Sequence, residues 1–411
     1  MNDIYAGIDL GTHSIKIVVT QKVNDQYEVL ASICSPSNGI KNGFITDTRA
    51  ATMSIKNAVK EITERLGMKI TKVVVAIPSE NCKMDIVTGK TNVIEYHDIT
   101  GQDVSNALLD AIKKVDLSGE ELVTAIPIHF KIDDKEPVSD PKGMKGTELE
   151  TKVVISTVPK EPLYRILEVL KLSGLEAIDI AYTSVGDYYT IKNRKFDELV
   201  GAIINIGEES TDVSVFNRGI LIKNSMIPVG SSNVDKDITY AFKTKLSESK
   251  KMKEQFVVLP SSYADDNDVW ELDLDQSEPK IIHQVAVSKV AEARVREILK
   301  LAKNEIKNLT NREIRYIMIT GGLTELSGFA TIVEQEFGFV AKVSNMTTMG
   351  VRNNAFTSCY GITKYFDDKL SLRGKSYQMF PRDEIEEMLS IDSSLTNENM
   401  ISKVFGHFFD N

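Results

Sequence analysis

Two segments far apart in the chain begin alike, and this repetition restricts the possible folds more than any other feature. Tyr5–Gly11 reads YAGIDLG, and Gly201–Gly207 reads GAIINIG. In both places an apolar segment ends at a polar turn that contains glycine, and a second segment rich in β-branched residues follows. This pattern predicts an antiparallel hairpin at each position. Because each hairpin opens a unit, the pair predicts two duplicated α/β domains.

Apolar strands and helices alternate between the two hairpins. Lys72–Ile77 and Lys152–Ser156 have the composition of buried strands, whereas Met53–Leu66 and Pro162–Leu172 have helical apolar spacing. A helix stop is expected at Gly174. Alternation of this kind predicts α/β layers.

Two stretches differ in texture and are interpreted as insertions. Residues 81–149 combine a predicted helix, Asp103–Lys114, with short strands and the turn-rich passage Asp140–Gly146. Asp237–Lys307 is mostly helical and charged, apart from an acidic passage around 264–275. We predict a small inserted α+β subdomain in the first stretch and a mainly helical insertion in the second.

Length, charge and cysteine content set broad limits on the class of protein. The 411 residues exceed what one hydrophobic core holds, so several subdomains are expected. A formal net charge of -10 at pH 7 argues against nucleic acid as a partner. Three scattered cysteines, Cys34, Cys82 and Cys359, favour a reducing compartment over a disulfide framework. With no basic-then-apolar leader and no apolar run of about 20 residues, we expect a cytoplasmic protein.

The turn of the first hairpin has the composition of a phosphate-binding turn. Small residues let backbone N–H groups approach phosphate oxygens, and a carboxylate can hold Mg²⁺ through water. Asp9 is therefore the candidate ligand for the cation. The candidate phosphate contacts are Gly11, Thr12, His13, Ser14 and Lys16. This turn alone does not decide the matter, because many hairpins contain Asp and Gly for reasons of backbone geometry.

A third glycine turn follows far downstream. The apolar strand Ile317–Thr320 runs into Gly321 and Gly322, where a helix is expected to begin. Glycine backbone lets a purine and a ribose lie close, with the helix N-terminus directed at the phosphates. Gly321, Gly322 and Leu323 are therefore candidate nucleotide contacts. Two hairpins followed by this turn predict the actin-like ATPase fold.

The second hairpin departs from a working phosphate turn. The actin class would have Asp-x-Gly-Gly-Gly-Thr here, whereas this chain has Asn205 first and Glu208 and Glu209 in place of glycines. Two carboxylates beside a triphosphate oppose binding unless a metal screens them. The remaining candidates for nucleotide contact are Asn205, Gly207, Ser210 and Thr211. We predict at most a weak ATPase, and a solvated turn that no longer serves a phosphate stays open as an alternative.

Several motifs resemble the FtsA family, the actin homologues of bacterial cell division, along most of the chain. The most specific is DPKGMKG at Asp140–Gly146, in the inserted subdomain that distinguishes this family from actin, Hsp70 and sugar kinases. The others are Ser37–Asp47 (SNGIKNGFITD), Ile227–Gly230 (IPVG) and the helix Ala355–Ile362.

The resemblance implies a cofactor and several partners. It implies ATP with Mg²⁺, self-assembly into an actin-like filament, binding of the FtsZ C-terminal tail, contact with other divisome proteins, and peripheral attachment to the inner face of the cell membrane at the division septum. Lys253 matches a nucleotide-contacting lysine of the family, whereas Lys250 replaces a glutamate that contacts the ribose. Arg294 and Glu297 match the spacing of the FtsZ-tail site, although an ordinary solvated helix face would read the same way.

The resemblance also divides the chain. We expect a first actin-like subdomain at 1–82, with about 150–186 and 346–371; an inserted FtsA-type subdomain at 83–149; a second actin-like subdomain at 187–236 and 305–345; a helical subdomain with the FtsZ-tail site at 237–304; a linker at 372–398; and a membrane-targeting amphipathic helix at 399–411.

The last dozen residues carry the membrane prediction. One apolar stripe at helical spacing comprises Met400, Ile401, Val404, Phe405, Phe408 and Phe409. An amphipathic helix at a free terminus suits the membrane interface. Docking on the protein's own body or on a partner is the alternative.

Two other functions share the predicted fold. One is a PilM-like adaptor of type IV pilus assembly, against which the terminal helix argues. The other is an active ATPase or phosphotransferase, which would need an intact second phosphate turn.

Overall fold

The computed structural model describes residues 3–272, 280–372 and 376–381. Its strands, in chain order, are β1 (Asp3–Leu10), β2 (Ser14–Val23), β3 (Gln26–Pro36), β4 (Ile40–Lys41), β5 (Phe44–Ile45), β6 (Lys72–Ile77), β7 (Lys83–Asp98), β8 (Glu120–Ile132), β9 (Lys145–Pro159), β10 (Glu176–Tyr182), β11 (Val200–Ile206), β12 (Thr211–Asn217), β13 (Ile220–Ile227), β14 (Val269–Leu272), β15 (Lys280–His283), β16 (Tyr316–Thr320) and β17 (Ala341–Val343).

The α-helices of the same residues surround these strands. They are α1 (Thr48–Leu66), α2 (Gly101–Lys113), α3 (Lys160–Leu172), α4 (Thr183–Ile191), α5 (Ser231–Phe242), α6 (Leu246–Phe256), α7 (Gln284–Leu309), α8 (Phe329–Phe337) and α9 (Thr357–Leu372). Short 3₁₀ turns cover Phe196–Glu198, Ser261–Tyr263, Gly322–Glu325, Gly338–Val340 and Asn354–Phe356.

Two five-stranded sheets with the same layout form the body of the protein. The first has the order β10-β6-β1-β2-β3 and the second the order β13-β12-β11-β16-β17. In each sheet an antiparallel hairpin, β1/β2 or β11/β12, lies beside a parallel strand, β6 or β16. Both predicted hairpins and the duplicated α/β architecture are therefore confirmed.

Local signals explain where the elements of the first sheet begin and end. The Asp47 side chain accepts a hydrogen bond from the Ala50 N–H and caps α1, which ends at Gly67 in the left-handed conformation. The cap places the helix start five residues before the predicted Met53. Strand β6 coincides with the predicted Lys72–Ile77, because a continuous apolar run ended by proline leaves little freedom.

The first insertion folds as a three-stranded sheet, β7-β9-β8, covered by α2. Gly89 allows the close approach of sheet and helix, since a Cβ there would lie 2.0 Å from the Ala107 carbonyl oxygen. The predicted strand Lys152–Ser156 is the middle of β9 and pairs with β7 and β8. Strand β9 has 15 residues, three times the length of the predicted segment, and it extends across the boundary expected between residues 149 and 150.

The second insertion is a helical layer on the second sheet. Helices α5, α6 and α7 bury Val234, Met252 and Val295 in one core with Ile204 and Val213 of the hairpin β11/β12. The small sheet β14/β15 lies beside them. This layer places the predicted FtsZ-tail residues on the same body as the second turn.

Helices α4 and α9 pack against each other; α9 contacts β1, β2 and β6 of the first sheet, and α4 also contacts β11 of the second. A Cβ on Gly361 would lie 1.7 Å from the Gly186 carbonyl oxygen, so only glycine permits this crossing. The crossing brings polar residues of both helices beneath the second hairpin, and it therefore shapes the site described next.

The C-terminal predictions lie outside the described residues. This applies to most of the linker at 372–398, namely residues 373–375 and 382–398, and to the whole helix at 399–411. Within the described part of the chain, no helix is long and apolar enough to cross a membrane.

Candidate functional site

A cleft with a cavity volume of about 210 Å³ lies where the turns of the two hairpins face each other. It is lined by all but two of the predicted nucleotide contacts: Asp9, Gly11, Thr12, His13, Ser14, Lys16, Asn205, Gly207, Ser210, Gly321, Gly322 and Leu323. The structure therefore brings together residues that are more than 300 positions apart in sequence. Their contact with a nucleotide stays a prediction.

The first turn is closed by its backbone and stabilised by an ion pair. The Gly11 N–H donates to the Ser14 carbonyl oxygen at 3.1 Å. Asp9 and Lys16 lie opposite each other in the hairpin register, and Lys16 Nζ is 3.2 Å from Asp9 Oδ2. Burial lowers the pKa of Lys16, but the Asp9 carboxylate outweighs it and the net shift is upward. Both side chains are nearly enclosed, at 12% and 14% exposed.

The second turn repeats this backbone. The Gly207 N–H donates to the Ser210 carbonyl oxygen at 2.9 Å. The carbonyl oxygens of Gly207 and Glu208 accept hydrogen bonds from the backbone N–H groups of Ser231 and Ser232 at the start of α5, each at 2.8 Å. These bonds satisfy N–H groups that a helix start leaves free. The turn is therefore anchored to the helical insertion as well as to the sheet.

The third turn packs directly on the second. Gly321 has φ +95°, and a Cβ there would lie 2.4 Å from the Ile206 carbonyl oxygen and 2.7 Å from Asn205 Oδ1. Only glycine satisfies both conditions. Gly322 lines the cleft, and a Cβ there would lie more than 4 Å from every other described residue, which leaves room for a ligand.

The prediction that an α-helix begins at this double glycine is wrong. Gly322–Glu325 forms a 3₁₀ turn, and α8 begins only at Phe329. Gly328, with φ +75°, separates the two, and a Cβ there would lie 1.6 Å from the Leu259 carbonyl oxygen. The contact with this loop of the helical insertion interrupts what the sequence presents as one helix.

A buried carboxylate that was not predicted from the sequence, Asp187, accepts a hydrogen bond from Asn205. Asp187 of α4 accepts hydrogen bonds from Asn205 Nδ2 at 2.7 Å and from Ser358 Oγ of α9 at 2.8 Å. Burial raises its pKa to about 6, and the hydrogen bonds from Asn205 and Ser358 act in the opposite direction. The one available signal was an aspartate in the otherwise uncharged helix TSVGDYYTI.

A second missed carboxylate, Asp212, lines the cleft itself. It lies opposite Asn205 in the hairpin register, as Lys16 lies opposite Asp9. Burial raises the pKa of Asp212 to about 7, and the charges of Asp187, Glu80 and Asp9 add to the shift. Its place opposite the turn residue was the signal that could have identified it.

Two lysines reach the acidic second turn from elsewhere. Lys250 of α6 places Nζ 3.7 Å from Glu208 Oε1 and 2.8 Å from His13 Nε2 on the first turn. Lys41 of β4 places Nζ 3.9 Å from Glu209 Oε2. Each carboxylate that departs from the usual glycine turn thus has a cation near it.

Two predicted contacts lie behind the wall of the cleft. Lys253 is paired with Asp235 at 2.9 Å, with both side chains at most 5% exposed. Thr211 is buried and donates to the Val229 carbonyl oxygen at 2.8 Å. Neither lines the cavity, so any role in nucleotide binding would be indirect.

The residues at the cleft fit the implied cofactors. Glycines in all three turns leave backbone accessible where phosphates would approach. The described residues contain no cluster of three or more His, Cys, Asp or Glu side chains that could hold a metal by themselves. Mg²⁺ needs no such cluster, because it keeps waters and takes phosphate oxygens together with one or two carboxylates. Asp9 could supply such a carboxylate.

The predicted FtsZ-tail residues lie on α7, away from the cleft. Arg294 and Glu297 are joined by an ion pair of 2.5 Å, and Arg294 also makes two hydrogen bonds, of 2.6 and 3.0 Å, to Asp237 of α5. Tyr240, one helical turn after Asp237, is 89% exposed. The helix pair therefore presents a charged network beside an exposed aromatic ring.

Comparison with known proteins identifies both the body and the insertion. The family model described as cell division protein FtsA matches residues 202–361, and the model of the SHS2 domain inserted in FtsA matches residues 77–157. Together they cover more than half of the chain. The cell division protein FtsA of Bacillus subtilis (strain 168) is 24% identical over 397 residues, which are 96% of this chain and 90% of that protein.

Solved structures of low sequence identity share the fold. The PilM–PilN type IV pilus biogenesis complex matches with a TM-score of 0.61 at 14% identity, over 88% of this chain and 98% of that one. MreB5 of Spiroplasma citri bound to ADP matches with a TM-score of 0.52 at 14% identity, over 89% and 97%. The predicted actin-like ATPase fold is confirmed. With both models matched in their expected order along one chain, this protein belongs to the FtsA family of cell-division proteins.

Proposed function

We propose that this protein is an adaptor of bacterial cell division that binds adenine nucleotide, assembles into actin-like filaments and tethers FtsZ filaments to the cytoplasmic membrane at the septum. The observation that carries the proposal is the presence, in one chain, of both the FtsA body and the SHS2 insertion. In this role the protein would also contact other divisome proteins. In this role, nucleotide hydrolysis would matter less than membrane attachment and filament assembly.

The cleft supports binding of an adenine nucleotide, ATP or its diphosphate product, together with Mg²⁺, and weak or no hydrolysis. Asp9 and the three glycine turns would hold the phosphates and the cation. The second turn offers an amide, Asn205, in place of a carboxylate, and that amide donates to Asp187. An amide cannot orient a cation-bound water as strongly as a carboxylate does, so turnover would be slow.

The helix pair α5/α7 supports binding of the FtsZ tail. Arg294 is 24% exposed and Glu297 53% exposed, so both remain accessible to a peptide while their ion pair holds them in position. Tyr240 on α5 and Leu301, one turn beyond Glu297, add exposed apolar surface. A peptide with both acidic and apolar residues would find complementary groups on this face.

Peptide binding tests the tail site directly. Fluorescence anisotropy of a labelled peptide with the C-terminal tail sequence of FtsZ from the same organism should show binding by the full chain, and Arg294→Ala should weaken it by about tenfold. Arg165→Ala is the matched control, because Arg165 forms an exposed ion pair with Glu161 at 2.8 Å on α3. Equal affinities for the two variants would contradict the proposed site.

Membrane attachment would depend on the terminal apolar stripe and on assembly. A short amphipathic helix binds reversibly by itself, and a filament that links many such helices raises their effective concentration at the surface. In liposome flotation, deletion of residues 400–411 should abolish flotation and leave peptide binding unchanged. Flotation of the truncated protein would refute the role of the stripe.

The two competing functions have less support. The PilM–PilN complex shares the fold at 14% identity, whereas the models that match this chain describe FtsA and its insertion. An active phosphotransferase would need small residues in the second turn, where this chain has Glu208 and Glu209. We therefore retain the proposed role as an adaptor of cell division.

A further inference from the structure

The second turn brings its own anions to the phosphate end of the cleft, and we infer that the cleft selects a nucleoside diphosphate over a triphosphate. The selecting groups are the carboxylates of Glu208 and Glu209, which both line the cavity. This inference rests on the proposal that the cleft binds adenine nucleotide, and it names which form of the nucleotide is preferred.

Glu208 is held in the cleft by contacts on both of its oxygens. Oε2 accepts a hydrogen bond from Ser231 Oγ at 3.2 Å, at the start of α5. Oε1 lies 3.7 Å from Lys250 Nζ. The side chain is 24% exposed, so the carboxylate is partly enclosed and does not swing freely into solvent.

Lys250 extends this contact across the cleft to the first turn. Its Nζ is 2.8 Å from His13 Nε2, so a Glu208–Lys250–His13 bridge joins the two turns. Lys41 and Glu209 form a second, longer link at 3.9 Å. Glu209 Oε2 is buried, and no residue in the described part of the chain donates a hydrogen bond to it, so Lys41 is the cation that compensates its charge.

The two bridges place carboxylate–lysine pairs between the turns that would hold the phosphates. Turns with accessible backbone N–H groups form concavities that bind anions, so the end of a bound phosphate chain would lie between these two facing turns. A triphosphate would have to approach two carboxylates and compete with them for Lys250 and Lys41. A diphosphate ends one phosphate earlier and leaves both bridges intact. Electrostatic repulsion in a partly enclosed site is less screened than in water, so the distinction should be large.

Paired titrations of the full chain test this inference. Isothermal titration with Mg²⁺-ADP and with Mg²⁺-ATP should show ADP bound more tightly by at least about tenfold. The double variant Glu208→Gln/Glu209→Gln keeps side-chain size and removes both charges. It should tighten ATP binding by about tenfold or more and change ADP binding by less than about threefold.

Two controls separate a local effect from a general one. Glu168→Gln/Glu334→Gln removes the same net charge from exposed positions on α3 and α8 and should leave the preference for ADP unchanged. The single variants Glu208→Gln and Glu209→Gln, each with a melting curve, keep the test valid if the double variant loses stability.

Each outcome is decisive. ATP bound as tightly as ADP by the parent would overturn the inference and leave nucleotide binding standing, because the lysines would then fully compensate the carboxylates. A preference for ADP that persists in the double variant would overturn the assignment to Glu208 and Glu209. Failure of the parent, the single variants and the double variant to bind either nucleotide would overturn nucleotide binding itself.

Discussion

The two hairpin turns at the cleft have the same backbone. In the first, the Gly11 N–H donates to the Ser14 carbonyl oxygen at 3.1 Å, and in the second the Gly207 N–H donates to the Ser210 carbonyl oxygen at 2.9 Å. Each turn joins two antiparallel strands in a sheet of the same strand order. The two turns therefore have the same main-chain hydrogen bond and the same place in their sheets.

The two hairpins differ in the pair of side chains that face each other across the strands beside the turn. In the first hairpin the carboxylate Asp9 faces the cation Lys16, and in the second the amide Asn205 faces the carboxylate Asp212. The first pair compensates its charge within the hairpin. The second pair has an amide where the first has a cation, so the residue opposite Asp212 does not compensate its charge. The cations near the second turn, Lys250 and Lys41, pair instead with Glu208 and Glu209.

The difference shows that fold and ligand chemistry are specified separately. Backbone bonds and glycines maintain the actin-like architecture, so the second turn can change its charge without any loss of fold. An adaptor needs the architecture and its attachment surfaces more than it needs turnover. The following predictions test this comparison, from the largest expected effect to the smallest.

Removing the acid of the first turn should be the most damaging change. Asp9→Ala leaves the Lys16 ammonium enclosed without its carboxylate, and loss of one partner of such a pair costs about 3 kcal/mol. Glu209→Ala removes an ion pair of the second turn in which Lys41 is 64% exposed, and it should cost less than about 0.5 kcal/mol. Urea denaturation measures both free energies of unfolding. Similar losses would contradict the contrast between an enclosed pair and a peripheral one.

Restoring the usual acid of the second turn should destabilise the protein. Asn205→Asp replaces the amide donor 2.7 Å from Asp187 with a second carboxylate, and the expected loss at about pH 8 is about 2 kcal/mol. The loss should be smaller at about pH 5, because one carboxyl then holds a proton and restores a hydrogen bond.

A companion change isolates the cause. Asn205→Asp/Asp187→Asn exchanges the acid and the amide, so stability should return to within about 0.5 kcal/mol of the parent. If the double variant is as unstable as Asn205→Asp alone, repulsion between the two carboxylates is not the reason.

Asp212 should make stability decrease with rising pH. Burial raises its pKa to about 7 in the folded protein, so the native state keeps a proton that the unfolded chain loses near pH 4. The contribution of Asp212 to the free energy of unfolding is greatest below about pH 4 and declines as the pH rises to about 7. Relative to the parent, Asp212→Asn should therefore gain stability across this range, by about 1 kcal/mol at about pH 8, since Asp212 is only partly enclosed.

Urea denaturation at about pH 4.5, 6 and 8 checks this dependence. Asp85→Asn, at an exposed position on β7, is the control and should follow the parent at all three values. A constant difference between Asp212→Asn and the parent would show that Asp212 does not titrate in this window.

Much of the fold could be predicted from short-range patterns. Strand β6 matches its predicted limits, and both hairpins form where glycine turns interrupt apolar segments. Such signals are local, because periodicity and turn residues act over a few positions. The predicted cleft residues follow from the order of these turns along the chain.

The remaining features depend on packing between distant elements. Lys250 meets His13 across 237 positions, and Asp187 reaches Asn205 only because α4 crosses α9 beneath the second hairpin. Strand β9 is longer than its apolar segment because it pairs with β7 between Lys145 and Thr157 and with β8 between Leu149 and Pro159. No local pattern encodes these contacts.

Recruitment of FtsZ to membranes is the most direct test of the adaptor account. Flotation of liposomes with FtsZ from the same organism and the full chain should carry FtsZ upward only when the chain is present. Arg294→Ala should leave the chain on the liposomes and release FtsZ. A chain that floats while FtsZ stays in solution would contradict the central claim.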